Sequence, residues 1–260
     1  MSYVDSLRCA ERHAPDTVAV LDFSGDIGAT FGSDSIYELL NAITSDAEIG
    51  AVILRVDSAG GDSYVSKKLH EAVHKIGTQC QLPMASFVGN TGTSGAYWLA
   101  NAADEIHADS LSTVGAVGVI ATYRNEKEKL DKEGIRYTVI RTGERKWPLI
   151  PYLPVEAADI DKVRASLDIV LGEFADAVVA SRQGKLKLSR ERLLTGEAWM
   201  GQEAYQLGLT DGPSSVEAVA ARLLGRTPLL YRRFDLAAAL VKPVRPDNEF
   251  RRPPVHVASD

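Results

Sequence analysis

Ser94 stands between a glycine-bearing turn and a run of mostly small residues, Thr93-Ser94-Gly95-Ala96-Tyr97-Trp98-Leu99-Ala100, the pattern of a serine at the start of a helix. Backbone N–H groups there point past the side-chain oxygen, and the positive end of the helix dipole lies behind it, which suits a nucleophile and its developing oxyanion. A serine in that place is also a favoured cap that only satisfies backbone donors, so the position alone decides nothing. A second corner lies upstream. The apolar run Ala51-Val52-Ile53-Leu54-Arg55-Val56 leads into Asp57-Ser58-Ala59-Gly60-Gly61-Asp62 and then into a helical pattern. Paired glycines let backbone amides approach a ligand closely.

Two other constellations could carry chemistry. His70-Glu71-Ala72-Val73-His74 spells the H-E-x-x-H pattern of zinc proteases, with Gly77 and then Cys80 beyond it, a cysteine in the place of a third ligand. On a helix, Val65, Leu69, Ala72, Val73 and Ile76 form one apolar arc, and His70 and His74 fall about 130° from its centre, beside Lys67. A pair that faces water lacks the shielded supporting shell of a catalytic metal, so the pattern favours an ordinary crossover helix, with a zinc metalloprotease as the alternative. A histidine triad would have to be Ser94-His107-Asp109. His107 follows Asp104-Glu105-Ile106, where strand alternation turns it away from the face of Ile106.

Taken in order, these segments resemble the signal peptide peptidase A family of serine proteases. The resemblance rests on Asp57-Ser58-Ala59-Gly60-Gly61, on Gly89-Asn90-Thr91-Gly92-Thr93-Ser94-Gly95, on Ala103-Asp104 and on Val114-Gly115-Ala116-Val117-Gly118-Val119. It continues through Gly134-Ile135, Gly143-Glu144-Arg145-Lys146, Leu194-Thr195-Gly196 and the stretch from Ala204 to Asp211, and covers residues 17–222.

The resemblance implies a Ser/Lys dyad, with Ser94 as nucleophile and Lys146, at the matching position, as a neutral general base. It implies an acyl-enzyme whose oxyanion is held by the N–H groups of Gly95 and of Gly60 or Gly61, no cofactor, and small or apolar side chains at P1. A lysine of ordinary pKa, about 10.4, is no base at neutral pH, so such a site has to disfavour its charge by desolvation. Trp147-Pro148-Leu149-Ile150-Pro151-Tyr152-Leu153-Pro154 follows Lys146 directly and offers that shielding. Two departures stand out. Ala116 occupies the place where many members have a serine that hydrogen-bonds the lysine, leaving that task to Ser112, Thr113 or a water. Ala59 replaces the proline usual before the paired glycines. Family members assemble into rings or domes that can draw Ser and Lys from adjacent protomers, so a homo-oligomer is expected. A non-catalytic oligomeric scaffold of the same fold is the second reading.

The elements that position these residues follow from periodicity. Strand-like runs at 17–23, 51–56, 84–88, 105–107, 119–123 and 136–140 alternate with helical patterns at 33–45, 63–76, 94–102 and 125–132, which predicts an α/β fold with mostly parallel strands. The resemblance narrows this to a Clp/crotonase-like spiral of repeated β-β-α units. A long helix in the C-terminal half is predicted over 155–182, where Ile160, Val163, Leu167, Val170, Phe174 and Val178 make an apolar stripe for core packing or, second, an oligomer contact. The chain divides into an approach segment at 1–16, a protease domain at 17–227 and an extension at 228–260. That extension is amphipathic from Leu229 to Leu240 and then interrupted by Pro243, Pro246, Pro253 and Pro254, and it either docks on a neighbouring subunit or stays solvated.

Composition sets the outer limits. With 260 residues, 45% hydrophobic and 25% charged, the chain can bury one large core. A formal charge of −6 and a pI near 5.5 give no reason to expect nucleic acid or an anionic membrane as partner. Cys9 and Cys80 are too few for a disulfide framework and fit a reducing compartment. Met1 to Arg8 has no apolar core and no stretch approaches bilayer-spanning length, so a cytoplasmic protein without stable membrane insertion, acting on peptide or protein substrates, is expected.

Overall fold

Val18 and Val20 pack on one side of the first strand and Ala19, Leu21 and Phe23 on the other, so a strand of period two is buried on both faces and must lie inside a layered sheet. The computed structural model describes residues 8–32, 36–143 and 146–236. Its elements run β1 (Thr17–Ser24), α1 (Ile36–Thr44), β2 (Ile49–Ser58), α2 (Ser63–Cys80), β3 (Met84–Thr93), α3 (Gly95–Ala100), β4 (Glu105–Ala108), β5 (Thr113–Gly115) and α4 (Lys127–Lys132). The second half adds α5 (Ala157–Ser181), α6 (Arg190–Leu193), β6 (Ala198–Met200), α7 (Gly201–Gln206), α8 (Val216–Leu224) and β7 (Leu230–Asp235).

The strands form one 7-stranded sheet in the order β6-β5-β3-β2-β1-β7, with β4 pairing β3 off that path. All pairings are parallel except β5 with β6. β3 changes partner along its length: residues 85–88 pair with β4 and residues 91–93 with β5. The change at Gly89-Asn90 carries the end of β3 past β4, so Ser94 emerges between β2 and β5. The larger core lies between the sheet and α1, α2 and α3, with Phe174 and Val178 of α5 reaching into it. Val219 and Ala220 of α8 cover the opposite face at Val18, Val20, Ala51, Ile53 and Ala85.

Several expectations are corrected. Residues 119–123 and 136–140 are not strands. Their β-branched side chains fit a pleated surface, but the sheet position beyond β5 is taken by antiparallel β6, and Ile120 is 87% and Ile140 94% exposed. The predicted long helix is present as the 25-residue α5, yet its only buried residues are Phe174, Ala175 and Val178. Along the stripe, Ile160 is exposed and Val163 and Leu167 are half-buried, outside the core that Phe174 and Val178 enter.

The cysteines are not free thiols. Cys9 and Cys80 form a disulfide with Cα atoms 5.3 Å apart. The segment before β1 is folded back on α1, where the Ala10 N–H donates to the Thr44 carbonyl at 2.8 Å and Arg12 Nε to the Ile49 carbonyl at 2.6 Å, and this brings Cys9 to the end of α2. From residue 228 the chain enters β7, which pairs in parallel with β1, and Arg233 of β7 is ion-paired with the buried Asp22. The remainder of that extension from residue 237, with its prolines, lies outside the described residues. Among the described residues no helix is long and apolar enough to cross a membrane.

Candidate active site

Parallel neighbours β2 and β3 end side by side, so the two strand-to-helix corners that follow them meet. The Thr93 hydroxyl donates to the Ala59 carbonyl at 3.2 Å, and the Ser94 N–H donates to the Gly115 carbonyl at 2.8 Å, which ties both corners to β5. A side chain at Gly60 would stand 2.8 Å from the Gly95 nitrogen and 2.9 Å from the Ser94 Cβ. One at Gly61 would strike the Ile27 carbonyl, and one at Gly95 the Ser66 hydroxyl. With φ of 106° and 146°, Gly60 and Gly61 also occupy backbone space that other residues rarely adopt.

Ser94 itself has φ 53° and ψ −128° and makes no side-chain capping bond. Its hydroxyl is therefore not the helix cap that the simpler reading proposes, and the strained backbone turns the half-buried side chain to a cavity of about 440 Å³ lined also by Gly61, Gly95, Trp98, Ala116 and Phe174. The donors are distinguishable. The Gly60 N–H bonds the Ser58 hydroxyl at 3.1 Å, while the bridge to Ile27 uses the Gly60 carbonyl and the Asp62 N–H, so the Gly61 N–H is clear of both. The Gly95 N–H opens α3 and has no acceptor within that helix. α3 has six residues, too short for much of a dipole, so N–H groups rather than the macrodipole carry the positive field at Ser94. The helix is held by the buried Tyr97, whose hydroxyl donates to the Leu209 carbonyl at 2.7 Å and whose pKa burial pushes up.

Lys146 is not in this cavity. It is exposed and lines a second cavity of about 540 Å³ with Arg141, Trp147, Ile150 and Tyr152. Trp147, expected to shield it, is 59% exposed. The described chain thus brings together Ser94, Gly60, Gly61 and Gly95 and leaves Lys146 on a separate surface. Ser112 is no substitute for the serine missing at Ala116, since its buried hydroxyl bonds the Val88 carbonyl at 3.2 Å and the Gly89 carbonyl.

The competing constellations are spent on structure. His107 is buried, with Nδ1 3.1 Å from the Gly212 carbonyl and Nε2 2.9 Å from both Glu105 and Arg222, while Asp109 accepts the Leu111 N–H. His70 and His74 stack 5.9 Å apart, and His74 lies 3.4 Å from the Ala102 carbonyl. His70 is half-buried rather than solvated, and burial together with His74 pushes its pKa down to about 4. Cys80, the third ligand of the metal reading, is bonded to Cys9, and Glu71 pairs with Lys68. Trp98, Val170 and Phe174 line the Ser94 cavity without having been singled out as site residues. Phe174 and Val170 carry a helical stripe, and helical spacing reads as core.

Comparison with known proteins adds to this geometry. The model of peptidase family S49 matches residues 78–226. A Brucella abortus protein named Na(+)/H(+) antiporter NhaA is 30% identical over 80% of this chain and 28% of its own length. Protease 4 of Haemophilus influenzae is 28% identical over 78% of this chain and 34% of its own length. The chain spans about a third or less of these relatives. A membrane-bound stomatin-specific protease, solved as a serine-to-alanine mutant, aligns with a TM-score of 0.53 at 12% identity, covering 86% of this chain and 99% of that one. A lysine-to-alanine mutant of it, in complex with a substrate peptide, gives 0.52 at 14% identity, with 86% and 93% covered. The shared fold is the α/β Clp/crotonase-like spiral.

Proposed function

The chain belongs to peptidase family S49, and on that premise we propose that it is a serine endopeptidase in which Ser94 is the nucleophile and Lys146 the general base. The observation that carries this reading is Ser94 itself: a serine at positive φ, free of any capping duty, facing a cavity shared with the Gly61 and Gly95 N–H groups. Neutral Lys146 takes the hydroxyl proton as Oγ attacks a peptide carbonyl. The Gly61 and Gly95 N–H groups hold the tetrahedral oxyanion, a contribution of about 3 kcal/mol per donor at comparable sites. Lys146 passes the proton to the leaving amine, an acyl-enzyme remains, and water activated by the same amine releases the product.

Lys146 lies exposed on the segment before α5, so this reading needs a second copy of the chain to bring the amine, desolvated, against Ser94. Support comes from the uncovered apolar residues of that segment, Ile140 and Trp147, and of α5, Ile160 and Ile169. Peptides and unfolded protein segments are the substrates proposed. The Cys9–Cys80 disulfide weighs against the cytoplasmic expectation, because such bonds persist in oxidising compartments. The transport named for the Brucella protein is not carried over.

A serine-directed phosphonate should label wild type and leave Ser94→Ala unlabelled. Mixing Ser94→Ala with Lys146→Ala should restore part of the peptidase activity that each lacks, since one intact site per mixed pair can form. Labelling of Ser94→Ala at the wild-type rate would sink the nucleophile. The exposed Lys146 and the alanine at 116 favour a second reading, a non-catalytic scaffold of the same fold, whose signature is an unlabelled wild type.

A further inference from the structure

α5 packs on the body of the protein through its C-terminal half, and Val170 and Phe174 at the start of that contact wall the Ser94 cavity. The Phe174 ring stacks on Trp98 with centroids 4.9 Å apart and planes 8° from parallel. Trp98 is one helical turn from the nucleophile, and its N–H donates to the Ser94 carbonyl at 3.0 Å. Val170, one turn before Phe174, lines the same cavity. On the far side Lys67 of α2 is ion-paired with Glu173, next to Phe174, and α2 begins at the cavity with Asp62 and Ser63. Phe174 is therefore backed by a ring, flanked by a brace, and 2% exposed although it borders open space.

The attacked carbonyl belongs to the residue whose side chain lies nearest Ser94 and the two N–H donors, so a pocket lined by all three receives the P1 side chain. A polar side chain there would lose its water and find an indole, a phenyl ring and a valine in exchange. We propose that Phe174, with Val170 beside it, is the specificity-determining residue of this site, setting how large an apolar P1 side chain the cavity takes. Trp98 walls the same pocket and backs the Phe174 ring, and the Lys67–Glu173 pair acts through Phe174 as a positioning pair. This inference rests on the Ser94 reading and adds which residues select the substrate.

Two peptidyl phosphonates, identical except for alanine or phenylalanine at P1, test it through their rates of Ser94 labelling. Their ratio, taken on one sample, cancels any change in the folded fraction, which matters because Phe174→Ala removes a buried ring. Phe174→Ala should raise the phenylalanine-to-alanine ratio by about tenfold or more, tenfold being the low end of what one methylene is worth in an apolar pocket. Val170→Phe, at a half-buried position that tolerates bulk, should move the ratio the other way. A ratio that stays at the wild-type value in either variant overturns the assignment while leaving Ser94 chemistry intact. Failure of both probes to label wild type overturns the nucleophile, and this inference with it.

Discussion

A methyl group at Gly61 would collide with the Ile27 carbonyl, and the backbone there has φ 146°. Gly61→Ala should therefore shift the N–H assigned to the oxyanion while leaving Ser94 in place. Losing one such donor costs about 100-fold or more in rate at comparable sites. Phosphonate labelling of Gly61→Ala against wild type checks this, with circular dichroism to show that the fold survives; labelling within a few-fold of wild type would move the oxyanion site elsewhere. Gly60 was an equal candidate in the sequence, because two adjacent glycines look alike there. The bond from the Gly60 N–H to the Ser58 hydroxyl separates them, and only three-dimensional contacts reveal it. Ser94 was legible for the opposite reason, since a strand, a glycine turn and a small-residue helix are local patterns.

At the scale of elements, the stretch after α7 is bolted to the end of α5 and to β4 through one carboxylate. Asp211 accepts from Arg182 and Lys185 at 2.6 Å each and from the Ile106 N–H at 2.9 Å. Burial alone would raise its pKa, but the hydrogen bonds from Arg182, Lys185 and Ile106 outweigh this and hold it down to about 2. A carboxylate depressed when folded stabilises the protein above its unfolded pKa of about 3.9, and that stability is lost as pH falls through about 2. Asp211→Asn leaves the buried Arg182 without its counter-charge and should cost about 3–5 kcal/mol at neutral pH. Urea unfolding between pH 2 and 6 should show a shallower acid limb in the variant than in wild type. The same principle of partners beyond the local sequence explains the failed strands. Residues 119–123 have strand chemistry but no free sheet edge to join, because β6, some 75 residues later, occupies it.

At the scale of the whole molecule, the disulfide closes a loop of 71 residues between the segment before β1 and the end of α2. A loop of that length corresponds to about 4 kcal/mol of lost unfolded-state entropy. Cys9→Ser should lower unfolding stability by roughly that amount, and reductant should do the same to wild type without affecting the variant. Thiol titration of the unfolded wild type that finds two free sulfhydryls would show the bond unformed. The assembly belongs to this scale as well. Among the described residues, Ile160 and Ile169 of α5 and Trp147 of the segment before it are exposed apolar side chains, and a concentration-dependent sedimentation coefficient is the expected behaviour.

What the sequence determined alone was whatever depends on neighbours along the chain: the alternation of strand and helix, the two glycine corners, the serine between them and the long helix. Those follow from backbone propensity and period, which act over a few residues. Tertiary structure decided which glycine N–H stays free, that Cys9 meets Cys80, that Phe174 walls the Ser94 cavity instead of merely filling the core, and that Lys146 stands on a different surface. Each of these joins residues far apart in the chain, and only the pairing order of the sheet and the packing of α5 bring such residues together or hold them apart.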